Sequence, residues 1–219
     1  MSAVPPRILS VGLTGGIACG RTTVGGILAR MGACVVDMDQ VAHELLAAGG
    51  EAVAPVLAAF GASFRDKDGG VNRRALGSIV FRDAAARSRL EGILHPMILA
   101  ETERRIAAFA ATRERGIAVT DAALLVETGG YRRYHRLVVV VCEPDLQLRR
   151  LMARDHLEED EARGRIAAQA PLERKRELAD YVIDTSGTLA QTEARAHEVY
   201  GMLLEDLDLM PDLPVRRAT

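Results

Sequence analysis

A turn reading Gly15-Gly16-Ile17-Ala18-Cys19-Gly20-Arg21-Thr22-Thr23 follows the β-branched run Ile8–Leu13 and leads into a helical stretch, Thr22–Met31. Glycines in such a turn let successive backbone N–H groups converge on an anion, because Cβ atoms would block both the bend and the close approach. A helix starting near Gly20 adds the positive end of its dipole to the same anion. Glycine, four residues, glycine, cation and hydroxyl is the spacing of a polyphosphate cradle, with one departure: Arg21 stands at the position of the usual lysine. Thr22 would offer its hydroxyl to Mg²⁺, a hard cation that takes oxygen ligands. A glycine-rich connection that binds nothing would use the same residues. Arg keeps the charge of Lys on a larger planar fork, so Arg21 predicts retained attraction for phosphate with weakened phosphoryl transfer. Composition supplies a plain origin for the exchange, since only Lys67 and Lys175 among the 28 basic side chains are lysines.

Other chemistry-bearing residues lie at the ends of apolar runs. Asp37-Met38-Asp39 follows Ala33–Val36, where an aspartate also has the ordinary task of capping a helix. Asp121 ends Ile117–Thr120, the place of an acid that reaches Mg²⁺ through water or of a simple turn residue. Arg150 and Arg154 fall four apart on one face of the helical stretch Leu146–Arg154. They could grip one polyphosphate bidentately or pair with Asp155 or Glu158 at the surface. Cys19 sits beside a helix start, where thiol pKa values fall, so its oxidation is expected to block anion binding.

The elements that must position these groups follow from the same runs. Ile8–Leu13, Ala33–Val36, Ile117–Thr120, Leu137–Val141 and Tyr181–Ile183 are continuous rather than alternating, as in strands buried on both faces. Helical patterns lie between them, at Val41–Ala48, Ala84–Leu94 and Met97–Arg113 among others, with a break expected at His95-Pro96. The class is α/β, with loops after the strands gathered along one edge. Residues from about 49 to 115 are almost wholly helical in pattern, and residues 147–177 form a charge-rich helical stretch. The second reads as a mobile lid or as a solvated hairpin. Pro211–Thr219 reads as a frayed tail.

Composition narrows the function classes. The 219 residues carry a net charge of −2 and 4% aromatics without Trp, which disfavours a basic or base-stacking nucleic-acid binder. Leu137–Cys142 is far too short to cross a bilayer. The opening MSAVPPR lacks signal-peptide character, and three scattered cysteines fit reduced thiols. A cytoplasmic protein with no membrane and no nucleic-acid partner is expected. Oligomeric state is not legible.

Taken together, the blocks resemble the dephospho-CoA kinase family from about Leu9 to Met202. Gly12-Leu13-Thr14-Gly15-Gly16-Ile17 with Gly20-x-Thr22-Thr23-Val24 is similar to its phosphate loop. Asp37-Met38-Asp39 with Ala42-His43-Glu44-Leu45 resembles its Asp-x-Asp block. Asn72-Arg73-Arg74-x-Leu76, Val80-Phe81, Leu90-Glu91 and His95-Pro96 resemble its helical substrate region. Asp121 with Leu124-Leu125 and Glu127 matches the end of its third strand. Gln147-x-x-Arg150, Arg154-Asp155, Arg165, Gln169, Lys175 and Ala179-Asp180-x-Val182-Ile183-Asp184 follow its lid and last strand. Arg21, Ala123, Val126 and Thr185 depart from the pattern, and Arg21 alone touches the phosphates.

The resemblance implies a P-loop nucleotide kinase-like parallel five-stranded sheet flanked by helices, with a helical substrate-binding insertion and a helical lid. The nucleotide-binding core would take residues 1–48, 116–146 and 178–208, the insertion 49–115 and the lid 147–177. It implies ATP and dephospho-CoA as substrates with Mg²⁺, the γ-phosphoryl passing to the ribose 3′-hydroxyl. Asp39 would accept the alcohol proton, with Arg21 and Arg150 as the other catalytic side chains. Gly16 to Thr23 and Arg154 would hold ATP, Asp37, Arg73, His95 and Asp121 the acceptor, and Thr22 and Asp121 (through water) the metal. The alternatives are another small-molecule P-loop kinase, or a nucleotide binder that has lost turnover.

Overall fold

The structure, a computed structural model, describes residues 6–210; the tail expected at 211–219 lies outside them. The chain divides into two compact units, one of Asp37–Ala107 and one of the residues on either side.

The larger unit is built on a five-stranded sheet of β1 (Arg7–Gly15), β2 (Cys34–Asp37), β3 (Arg115–Asp121), β4 (Arg136–Val141) and β5 (Tyr181–Asp184), in the order β2-β3-β1-β4-β5. β1 pairs in parallel with β3 and β4, and β4 with β5. All five apolar runs are therefore strands, their bounds within two residues of the predicted ones at each end. The continuous pattern has its cause in two covered faces. On one face Leu9, Val11, Leu13, Val138 and Val140 pack with Val24, Ile27 and Leu28 of α1 (Arg21–Arg30), and with Ala196, Val199, Leu203 and Leu207 of a long helix over Leu189–Asp208. On the other, Leu137, Val139 and Val141 pack with Leu125. The sheet is α/β and parallel, as the sequence predicts, and Gly15, Asp121 and Val141 end three adjacent strands.

Register makes Gly15 obligatory. It faces Val140 across the β1–β4 ladder, and a Cβ there would collide with the Val140 carbonyl oxygen. Gly15→Ala is expected to lower stability by about 1–3 kcal/mol through this overpacking. In the middle of α1, Gly26 has only the flexible Arg30 guanidinium at 3.9 Å from a built Cβ. Gly26→Ala is expected to be neutral or stabilising by up to about 1 kcal/mol. Paired thermal melts of the two variants check the contrast.

The smaller unit is helical: α2 (Met38–Leu46), α3 (Val53–Phe60), α4 (Arg73–Val80) and most of α5 (Ala84–Ala110). The break expected at His95-Pro96 does not occur, because α5 runs through Pro96 without ending. Proline removes one backbone donor and crowds one carbonyl, a cost of about 3 kcal/mol. Leu94 and Ile98, both buried, anchor the helix on either side of the lost bond. Glu101 fastens the C-terminal half to α2 through Arg105, which reaches both Glu101 Oε1 at 2.6 Å and the Glu44 carboxylate. Arg104 and then Arg105 hold the Glu101 carboxyl down at about 2.

Candidate active site

Gly16–Gly20 connects β1 to α1 through an unusual backbone. Ala18 has φ 59° and the N-cap residue Gly20 φ 86°. A non-glycine residue in the left-handed region costs about 1–2 kcal/mol, so the surrounding contacts must hold it there. Four side chains from beyond β4 do so. Gln169 Oε1 accepts from Ile17 N–H at 2.8 Å, and Gln147 Nε2 donates to Ile17 O at 2.9 Å. Lys175 Nζ donates to Gly15 O at 3.2 Å, and Thr185 Oγ1 donates to Cys19 O at 2.8 Å. A Cβ on Gly16 would stand 2.6 Å from Gln147 Nε2 and 2.9 Å from Cys19 Sγ, so a larger residue there would push aside side chains that pin the turn.

The turn delivers its amides to one place. The first intrahelical bond of α1 runs from Val24 N–H to Gly20 O at 3.1 Å. The N–H groups of Arg21, Thr22 and Thr23, in the first turn ahead of Val24, have no carbonyl within the helix. Those amides and the dipole form an anion cradle. Thr22 and Thr23 are exposed at its mouth.

Arg21 lies against the end of β3, with Nε 2.7 Å from Asp121 Oδ1 and side-chain exposures of 16% and 3%. The lysine-position cation and the strand-end acid are thus one ion pair. Asp121 is held by Arg21, a tighter tie than the turn role weighed for it above.

The segment after β4 comprises α6 (Pro144–Asp155), α7 (Glu159–Ala167) and α8 (Leu172–Leu178). Arg150 on α6 donates to Thr185 Oγ1 and Thr185 O, both at 3.0 Å. Together with Gly20, Thr23, Thr185, Leu189 and Thr192 it lines a cavity of about 300 Å³ beside the start of α1. Arg154, one turn on, forks onto Asp155 at 2.7 and 3.1 Å, and Arg165 joins the same carboxylate. The surface-pair alternative therefore describes Arg154, whereas Arg150 lies beside the glycine-rich turn. Thr185, a departure from the family pattern, bridges Arg150 and the Cys19 carbonyl with one hydroxyl.

In the helical unit, Asp37 is the N-cap of α2, its Oδ1 accepting from Asp39 N–H at 2.8 Å and Gln40 N–H at 3.1 Å. Asp39 sits exposed in the first turn. Gln40, His43, Glu44, Asp66, Asp68 and Arg73 line a cavity of about 440 Å³ within this unit. His95 is exposed on α5 and does not line it.

One expectation fails at Cys19. Its thiol lies buried, 3.2 Å from that of Cys142. The contact with Cys142 and burial push the Cys19 thiol up, opposite to the fall expected beside a helix start. Cys19 and then the Arg150 guanidinium draw Cys142 down instead.

Glu127, in the loop after β3, meets Lys175 Nζ at 2.8 Å and Ala170 N–H at 2.9 Å. Burial works to raise its carboxyl, but the bond from Lys175 and the backbone donors hold it below the ordinary 4.5. A depressed folded-state value contributes stability that is complete above the unfolded value and lost as pH falls through the folded one. The stability gap between the wild-type chain and Glu127→Gln is expected to hold at neutral pH and to close in acid. Urea melts at stepped pH would measure it; a gap that widens in acid would contradict the assignment.

Gln147, Gln169 and Lys175 figure above only as pieces of a pattern, yet they shape the turn. Their signals were a glutamine on the apolar face of α6, only 4% exposed in the fold, and a lysine kept in an arginine-rich chain.

Residues 9–191 match the family model described as dephospho-CoA kinase, CoaE. A dephospho-CoA kinase of Geobacter sulfurreducens is 45% identical over 192 residues, covering 87% of this chain and 96% of the relative. One of Aromatoleum aromaticum is 44% identical over 196 residues, covering 89% and 93%. A solved structure from Thermus thermophilus superposes with a TM-score of 0.74 at 28% identity, covering 90% of this chain and 98% of that one. Among the described residues, no helix is long and apolar enough to cross a membrane.

Proposed function

Since the chain belongs to the dephospho-CoA kinase family, we propose that it transfers the γ-phosphoryl group of ATP to the ribose 3′-hydroxyl of dephospho-CoA, giving CoA and ADP. The 3′-oxygen attacks the γ-phosphorus in line, the bond to the β,γ-bridging oxygen breaks, and ADP leaves with that electron pair. Asp39 accepts the proton of the attacking alcohol. The amides of the cradle and Arg21 carry the charge of the β- and γ-phosphates, and Arg150 clamps from α6. Arg154 joins them by exchanging Asp155 for phosphate oxygen. The cavity beside Thr23, with Leu189 as its apolar wall, takes the adenine end. Arg73 holds the acceptor at the cavity that it lines with His43, and Asp37 and His95, which lie outside that lining, supply further contacts.

Thr22 and Asp121 are hard oxygen donors beside a turn where a Cβ on Gly16 would crowd Gln147 and Cys19, a donor set that suits Mg²⁺. They would hold the ion, Asp121 through water, and the bound ion offsets charge on the phosphate oxygens. A separate exchange falls to the chain itself: Arg21 must leave Asp121 to reach a phosphate.

The observation that carries the proposal is the pinned turn of Gly15–Thr23, with Arg21 on Asp121, inside a chain of this family. An acceptor panel tests it. Purified protein with MgATP is offered dephospho-CoA, shikimate, gluconate and nucleoside monophosphates, and ADP is counted against phosphorylated product by mass spectrometry. Equal amounts of ADP and CoA from dephospho-CoA, and little from the others, are expected. A preference for another acceptor would overturn it.

A further inference from the structure

We propose that Lys175 is a positioning residue of the transfer site: its ammonium fixes the carbonyl that opens the phosphate loop to the segment that carries Asp121. This inference rests on the kinase reading above and extends it to a residue that touches no substrate.

Lys175 has 0% exposure, although Glu173, Arg174 and Arg176 around it on α8 are all exposed. Its Nζ donates to Gly15 O at 3.2 Å and Ala123 O at 3.1 Å, and meets Glu127 Oε1 at 2.8 Å. An ammonium has three N–H donors and no acceptor, so three acceptors from separate places satisfy it fully. The Ala123 carbonyl also takes the Thr14 hydroxyl at 3.0 Å. Thr14 and Gly15 end β1, and Ala123 lies two residues beyond Asp121. A single buried cation therefore joins the last residue before the cradle to the loop of the strand-end acid.

The chain's own composition sharpens the point. Lys67, the other lysine, is exposed in a turn, and all remaining basic side chains are Arg. A guanidinium spreads five donors over a rigid plane and cannot aim three of them from one atom. Lysine persists where the site needs a compact cation. Removing it frees the Gly15 carbonyl to turn, and with it the peptide that leads into Gly16. Displacement of about 1 Å in a reacting constellation costs on the order of 100-fold.

Lys175→Arg and Glu127→Gln test the proposal. Thermal melts come first, and every variant is then assayed well below its own transition. Initial rates give kcat and both KM values; titration with MgADP gives nucleotide affinity without an acceptor. Lys175→Arg is expected to lose between about 10-fold and about 100-fold in kcat, with weaker MgADP binding and an unchanged KM for dephospho-CoA. Glu127→Gln, whose amide oxygen still accepts, should lose less. A Lys175→Arg protein that melts lower but keeps wild-type kcat and MgADP affinity would make the residue a structural strut and overturn the proposal. If Lys175→Arg does not fold, the same two readouts on Glu127→Gln decide in the same sense. If the wild-type chain turns over no dephospho-CoA, the kinase reading fails separately. MgADP affinity then judges Lys175: weakened binding supports the proposal and unchanged binding overturns it.

Discussion

Asp39→Asn is expected to lower kcat by about 10²- to 10⁴-fold, the range for loss of a general base, while the KM for ATP stays near its wild-type value. The substitution keeps the size of the side chain and removes only its ability to take a proton. Helix α2 should not suffer, because its N-cap is Asp37, whose Oδ1 already receives Asp39 N–H and Gln40 N–H. Capping thus falls to Asp37, and proton acceptance is the role proposed for Asp39. Asp37→Asn is the control, since Asn caps about as well as Asp; it should leave the melt of α2 intact. Unchanged kcat in Asp39→Asn would move the base elsewhere.

Arg21→Ala is expected to cut kcat/KM for ATP by about 10²- to 10³-fold, the usual loss when a donor to developing charge is removed. Arg21→Lys should remain within about tenfold of wild type, because a point cation also meets phosphate. The ion pair with Asp121 adds a second consequence. Asp121 is 2% exposed, so Arg21→Ala takes a guanidinium away from a buried carboxylate, which costs stability. The Ala variant should therefore melt lower and bind MgADP more weakly, whereas the Lys variant should do neither. Arg21→Lys also measures the weakened transfer expected from the sequence: a gain above about tenfold would mean that Arg slows the reaction.

The sheet was legible because its physics is local. A strand covered on both faces must be apolar at successive positions, and each of the five runs satisfied that within a few residues. The cradle was legible for a related reason, since its glycines, hydroxyl and following helix are neighbours in sequence. Its supports were not. Gln169, Gln147, Lys175 and Thr185 reach the turn across separations of 152, 130, 160 and 166 residues. No periodicity encodes such contacts. The same limit explains Cys19, whose helix start was visible while Cys142, 123 residues away, was not. At His95-Pro96 the proline rule overestimated one missing hydrogen bond against the packing of Leu94 and Ile98. Arg150 and Arg154 were correctly placed on one helix, but spacing alone could not tell that Thr185 would take one and Asp155 the other.

The most direct test follows the phosphoryl group itself. Dephospho-CoA and MgATP are mixed with the purified chain, and ³¹P NMR records the products as the reaction runs. The account predicts that the γ-phosphate resonance of ATP declines while a ribose 3′-phosphomonoester signal rises in equal amount. Inorganic phosphate growing in its place, or a new ester at any other position, would contradict it.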